Sequence, residues 1–111
     1  RRRPATGWVA LVGGSGDGDL LTVRARRLIH TADVLIVDGA ADAALVAELD
    51  DDVEVLESAA ELPAARVAEL VATRYAAGHG VVRIAASATL ADRARELEAG
   101  GVEFEVVPGV V

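Results

Sequence analysis

Apolar and polar positions along the chain follow two periods, and the period predicts the type of each element. Short, nearly continuous apolar runs are typical of buried strands, whereas apolar residues spaced three to four apart are typical of helices packed on one side. The predicted strands are Trp8–Val12, Val34–Val37, Val53–Leu56, Val81–Ala85 and Phe104–Val107. The predicted helices are Leu20–Ala32, Asp42–Leu49, Pro63–Ala77 and Leu90–Ala99.

Polar and small residues mark the ends of these helices. Asp17 or Asp19 is expected to cap the first helix, because a carboxylate accepts from the free N–H groups of the first turn. Pro63 suits a first helical turn, and Gly100–Gly101 is a stop signal after the last helix. These boundaries leave short loops between all the elements.

Strict alternation of strands and helices indicates an α/β fold. Apolar runs without alternation predict strands buried on both faces, as in a mainly parallel sheet covered by helices on both sides. With 111 residues the chain forms one domain, a three-layer structure with five strands over residues 7–111. Residues 1–6 are expected to be a disordered tail or the boundary of an expressed fragment. The pattern does not determine the strand order.

Composition and charge exclude several functions. The formal net charge of −7 and the scattered arginines argue against nucleic acid as a partner. The chain has no cysteine and only two histidines, so no metal site is expected. No apolar run reaches membrane-spanning length, and a cytoplasmic protein without a membrane partner is expected. His30 and His79, like glutamates such as Glu57 and Glu96, are expected on the surface.

Ligands of open parallel sheets bind beyond the carboxyl ends of the strands, where four loops carry the candidate residues. The glycine-rich segment from Gly13 to Asp19 can present backbone N–H groups, or it can be a tight turn that caps a helix. It is not a dinucleotide fingerprint, because Asp19 stands where the third glycine is required. Asp38 can accept a proton or hold a ribose hydroxyl, or it can cap the turn with Gly39.

The remaining two loops offer less chemistry. Ala85–Thr89 carries two hydroxyls, and Ser87 or Thr89 is expected to be an N-cap and not a nucleophile. Val107–Gly109 is a rigid turn that can approach a ligand closely or simply lead the chain away from the sheet.

Six groups of residues stand out by their order and spacing along the chain. They are Gly7–Gly13, Gly16–Asp17, Leu20–Thr22, Ala32–Val34 with Asp38, Val81–Arg83 and Phe104–Gly109. Together they resemble one family, the uroporphyrinogen-III C-methyltransferases and their relatives among the tetrapyrrole methylases. The resemblance covers nearly the whole chain, from about Gly7 to Val111.

The resemblance implies the N-terminal α/β half of a two-domain, S-adenosylmethionine-dependent methyltransferase, usually a homodimer, with a tetrapyrrole substrate bound between the halves. It implies that Asp38 is the proton acceptor. The cofactor-binding positions that it implies are Gly13, Gly14, Ser15, Gly16, Ala86 and Ser87.

The chain departs from the family pattern at several of these positions. Ser15 and Gly18 replace prolines in the first loop, and Glu57 stands where a lysine is expected. Ala85–Leu90 lacks the two glycines, the aspartate and the proline that hold the cofactor. We therefore do not expect methyl transfer by this chain alone. The alternatives are a non-catalytic descendant that serves dimerisation, regulation or tetrapyrrole binding, and a Rossmann-like nucleotide-binding domain.

Overall fold

A computed structural model describes residues 7–14 and 21–109. The strands are β1 (Trp8–Gly13), β2 (Val34–Val37), β3 (Glu54–Leu56), β4 (Gly80–Ala85) and β5 (Glu105–Val107). The helices are α1 (Val23–Thr31), α2 (Ala43–Ala47), α3 (Ala64–Ala76) and α4 (Leu90–Ala99), with short 3₁₀ helices at Ala59–Glu61 and Ser87–Thr89. The sheet order is β3-β2-β4-β1-β5, and all four pairings are parallel.

Helices cover both faces of this sheet, so the predicted α/β fold is confirmed. Face A is the side covered by α1 and α2, where Ile29 and Leu45 pack on Leu35 and Val37. Face B is the side covered by α3 and α4, where Val67 and other apolar side chains pack on the opposite residues of the same strands. Because side chains alternate between faces along a strand, a strand buried on both faces is a continuous apolar run.

The predicted helix and strand bounds agree with the structure to within one or two residues at most ends. The exception is the start of α1, where the expected cap at Asp17 or Asp19 is wrong. Thr22 is the N-cap, and its side-chain oxygen accepts a hydrogen bond from the Ala25 backbone N–H. Asp17 and Asp19 themselves lie outside the described residues. The two 3₁₀ helices were not predicted, since three residues are too few to show a period.

Close backbone approaches explain two of the glycines. The Trp8 ring lies against Gly80, where an added Cβ would be 2.2 Å from the ring. A Cβ on Gly109 would be 2.4 Å from the Gly13 carbonyl oxygen, which shows how closely the turn after β5 contacts the end of β1. No helix in the described part of the chain is long and apolar enough to cross a membrane.

Candidate functional site

The carboxyl ends of β1, β2 and β4 lie side by side, and the elements that follow them leave in different directions. The helix α2, which follows β2, packs on face A, whereas α4, which follows β4, packs on face B. Neighbouring parallel strands whose connections leave to opposite faces open a crevice between them, and this is where open α/β sheets bind ligands.

A cleft of ≈ 280 Å³ occupies this position. Three residues predicted from the sequence contribute to it, namely Gly14 after β1, Asp38 after β2 and Ala86 after β4. The other lining residues are Val37, Gly39, Ala60, Ile84, Thr89 and Arg93. The cleft is therefore walled by small and apolar groups, with one hydroxyl and one pair of opposite charges.

The remaining predicted positions are placed differently. Gly13 lies beside the turn after β5, because a Cβ added to it would be 2.9 Å from the Gly109 nitrogen and 3.4 Å from the Ser87 hydroxyl oxygen. Gly13 and Ser87 thus lie close together without lining the cleft. Ser15 and Gly16 fall outside the described residues. The turn at Gly109 contacts β1, which the sequence did not indicate.

The carboxylate of Asp38 is held by two arginines. Both Nε and Nη2 of Arg83 lie 2.7 Å from its Oδ1, and Nε of Arg93 donates to its Oδ2 at 2.8 Å. Glu96 completes the group, with its carboxylate 3.0 Å from Arg93 Nη1 and 3.7 Å from Arg83 Nη1. We call these four residues the ion network. Its two positive and two negative charges balance.

The ion network is partly buried, and burial makes its charges depend on one another. The Arg83 side chain is only 6% exposed, because it points to face B between Leu11 and Ile36 of the neighbouring strands and beneath α4. A guanidinium removed from water in this way needs a carboxylate partner. The hydrogen bond to Asp38 also raises the pKa of Arg93, so Arg93 stays charged. Both carboxylate oxygens of Asp38 accept from arginines, a pairing that neither the turn-capping nor the proton-accepting interpretation predicted.

Sequence reasoning missed Arg93 and Glu96 as partners of Asp38. Glu96 was expected on the surface, whereas it is part-buried and paired. Two signals were available. Arg83 is a charged residue inside an otherwise apolar buried strand, and Arg93 and Glu96 are three apart on one helix, where side chains meet. The sequence did not indicate that both arginines pair with Asp38, because Asp38 is 45 residues from Arg83 and 55 residues from Arg93.

The loop after β4 does not use its hydroxyls as predicted. Thr89 occupies the N-cap position of α4 but makes no capping hydrogen bond with its side chain. Its hydroxyl donates to the Ala86 carbonyl at 3.1 Å, and its backbone N–H donates to the same oxygen at 2.9 Å. The Ala86 carbonyl therefore points toward the 3₁₀ helix, where Thr89 supplies both of these donors.

A second cleft, of ≈ 480 Å³, lies at the opposite, amino end of the sheet. Both histidines line it, together with Asp33, Asp50 and Glu54 among others. Within residues 7–14 and 21–109, no group of three or more such side chains is placed to hold a metal ion. His30 lies 3.0 Å from Glu48, at the surface as expected.

Comparisons with known proteins place these features among the tetrapyrrole enzymes. A profile of the family described as Tetrapyrrole (Corrin/Porphyrin) Methylases matches residues 9–111. Siroheme synthase of Methylococcus capsulatus is 37% identical over 121 residues, which cover 99% of this chain and 26% of that protein. Precorrin-4 C(11)-methyltransferase of Rhodococcus erythropolis is 34% identical over 103 residues, covering 87% of this chain and 41% of that protein.

Solved structures of two methyltransferases are also similar to this chain. Uroporphyrin-III-C-methyltransferase from Thermus thermophilus matches with a TM-score of 0.75 and 27% identity over 95% of this chain and 48% of that chain. A cobalt precorrin-4 methyltransferase matches with a TM-score of 0.76 and 28% identity over 93% of this chain and 46% of that chain. The chain spans about half the length of these solved structures, and less of the curated relatives.

Proposed function

This chain belongs to the tetrapyrrole methylase family, and from that premise we propose that it forms the N-terminal α/β half of an S-adenosylmethionine-dependent uroporphyrinogen-III C-methyltransferase. The observation that carries the proposal is the cleft at the carboxyl ends of β1, β2 and β4. Three positions implied by the family, Gly14, Asp38 and Ala86, meet there although they lie far apart in the sequence.

The residues of the cleft fit part of S-adenosylmethionine. Among the described residues, a Cβ added to Gly14 would meet Leu21 at 3.5 Å and Ile84 at 3.7 Å, which are ordinary contacts. The packing of the described residues therefore does not require a glycine here, which leaves room for a ligand contact as the reason for it. At ≈ 280 Å³ the cleft is slightly smaller than the roughly 300–1,000 Å³ of complete small-molecule sites. A cleft smaller than a complete site is expected if the second domain of a two-domain enzyme supplies the other wall.

The roles of the residues follow from their chemistry. When bound, S-adenosylmethionine supplies a methyl group from its sulfonium to a tetrapyrrole carbon, which loses a proton, and S-adenosylhomocysteine remains. Gly14 and Ala86 have no polar side chains, so they would hold the cofactor through backbone atoms. The Gly14 N–H already donates to the Ala85 carbonyl and the Ala86 carbonyl already accepts from Thr89, so the Gly14 carbonyl and the Ala86 N–H are the groups that would be used. Asp38 would accept the proton. Among the described residues, its Oδ1 accepts two hydrogen bonds from Arg83 and its Oδ2 accepts one from Arg93, so Oδ2 keeps acceptor capacity for the proton. Arg93, 18% exposed, is also the more accessible of the two arginines.

The finer properties of the family belong to the same proposal. We propose a tetrapyrrole as substrate, a homodimer as the working form and a cytoplasmic location. Gly13, Ser15, Gly16 and Ser87 remain proposed cofactor positions, and Gly13 and Ser87 would contribute from the β1–β5 side of the cleft.

A second candidate is a non-catalytic descendant of the same fold. One observation supports it: the Asp38 carboxylate already has two guanidinium partners, and Ala86 and Ser87 stand in the loop where the family has glycines and an aspartate. The similarity to methyltransferases in both sequence and structure favours the methyltransferase over the non-catalytic descendant. Nucleotide binding of the Rossmann type has no comparable support.

The test is a calorimetric titration with S-adenosylhomocysteine, using this chain and any longer protein that contains it. Gly14 lines the cleft, and Gly14→Ala adds a methyl group there without a clash with any described residue, so it should weaken binding at least about tenfold and leave stability unchanged. The matched control is Gly100→Ala, whose added Cβ meets only ordinary contacts at the end of α4 and lies outside the cleft. Equal affinities for the two variants would contradict a cofactor site at Gly14.

A further inference from the structure

Two loops at the rim of the cleft are joined by backbone hydrogen bonds. The Ser58 N–H donates to the Gly39 carbonyl at 2.8 Å, and the Ala60 N–H donates to the Asp38 carbonyl at 3.2 Å. Asp38, Gly39 and Ala60 all line the cleft. These bonds join the loop after β2 to the loop after β3, so the two loops form one wall.

Glu57 adds a third bond from its side chain. Its Oε1 accepts a hydrogen bond from the Ala41 backbone N–H at 2.6 Å. Ala41 lies two residues beyond Gly39 and directly before Asp42, the N-cap of α2. The carboxylate therefore holds the far end of the loop after β2, while the backbone of Ser58 and Ala60 holds its near end.

The backbone conformation of Ser58 indicates that tertiary contacts, and not local preference, hold this loop in place. Ser58 has φ 55° and ψ 36°, and it is the one described non-glycine residue with a positive φ. A non-glycine residue in this region costs about 1 kcal/mol or more and persists only when its surroundings hold it. Ser58 itself is held by its N–H, which donates to Gly39, and by its carbonyl, which accepts from the Glu61 N–H at 3.0 Å. The bonds of Glu57 and Ala60 hold the residues on either side of it.

We infer that Glu57 is a positioning residue, whose carboxylate fixes the loop of residues 38–41 and so keeps the Asp38 side of the cleft in shape. The inference rests on the proposed function, because it assigns Glu57 to the same cleft. A lysine at this position, which the family resemblance leads one to expect, has three donors and no acceptor and cannot accept from the Ala41 N–H. Glu57 therefore supports the cleft through a contact that a lysine cannot make.

The test compares Glu57→Gln with Glu57→Lys in the full chain. The glutamine amide oxygen can still accept from the Ala41 N–H, whereas the lysine ammonium cannot. Amide hydrogen exchange measured by NMR should speed up about tenfold or more at Ala41 in Glu57→Lys, and also rise at Ser58 and Ala60, with Glu57→Gln close to the parent. The melting temperature should change little in either variant. Glu61→Lys, in the neighbouring 3₁₀ helix, makes the same charge change and is the control.

Binding of S-adenosylhomocysteine separates this inference from the proposed function. Weaker binding by Glu57→Lys, with rescue by Glu57→Gln, is the result we expect. Unchanged exchange at Ala41, Ser58 and Ala60 in Glu57→Lys would overturn the positioning role, as would equal effects of Glu61→Lys. If no variant and no parent binds the ligand, the proposed function fails, while the exchange rates still decide whether Glu57 holds the loop.

Discussion

The two faces of the sheet are built from the same strands but are held in different ways. On face A, the buried side chains that the structure describes are apolar, and α1 and α2 pack on them through residues such as Ile29 and Leu45. On face B, the apolar layer under α3 and α4 is interrupted at its carboxyl end by the buried Arg83 and the ion network. Face A resembles the interior of any α/β domain, whereas face B brings charge into the layer beneath the cleft.

The buried charge on face B indicates where a functional site can be sought in this fold. Burying an ion pair is rarely more stabilising than burying apolar groups of the same size, so stability alone does not explain the network. The network lies at the end of β2 and β4, next to the cleft, and nothing comparable interrupts the described core of face A. This asymmetry is consistent with the placement of the proposed site.

The largest expected effect comes from breaking the ion network. Asp38→Ala leaves the buried Arg83 with the Glu96 carboxylate, at 3.7 Å, as its one carboxylate partner among the described residues. Removing one partner of a buried pair costs about 3–5 kcal/mol. The measurement is the free energy of unfolding in urea at neutral pH.

Asp92→Ala is the matched control on the outer side of the same helix. Asp92 pairs with Arg95, but the two side chains are 61% and 69% exposed, so the loss should stay below about 0.5 kcal/mol. Similar losses for the two variants would show that the network is not a buried one.

A smaller effect is expected from face A. Ile29 is fully buried in α1, and Ile29→Val removes one methyl group, which typically costs about 0.5–1.5 kcal/mol. Because the contact is apolar, the loss should be the same at pH 5 and pH 7. A loss that changes with pH would mean that face A, too, depends on charge.

The smallest effect is expected at the exposed pair of Glu54 and Arg74. The hydrogen bond from Arg74 lowers the pKa of Glu54 below its ordinary value of 4.5. A lowered folded-state pKa gives stability that is present above the unfolded-state pKa and lost as the pH falls through the folded-state pKa. Glu54→Gln should therefore cost a little at neutral pH, at most about 0.5 kcal/mol because the pair is solvent-screened, and nothing in strong acid. Urea unfolding across this pH range checks it, and a cost that persists in acid would contradict it.

The sequence predicted most of the fold and part of the candidate site. The five strands and four helices were recognisable because apolar periodicity is a local property of each segment. The loops that contain Gly14, Asp38 and Ala86 were recognisable because ligands of parallel sheets bind at the carboxyl ends of strands, and the family resemblance selected Gly14 and Ala86 within them. The start of α1 was wrong, since several residues before it can cap a helix and only the path of the chain selects Thr22.

By itself, the sequence determined the α/β class, the number of strands and the family, because each depends on local pattern or on the order of short motifs. The strand order, the partners of Asp38 and the contact of Glu57 with Ala41 were decided only by the tertiary structure. Those contacts join residues between 16 and 55 positions apart. Which strand lies beside which decides whether such distant groups meet, and no local pattern encodes that order.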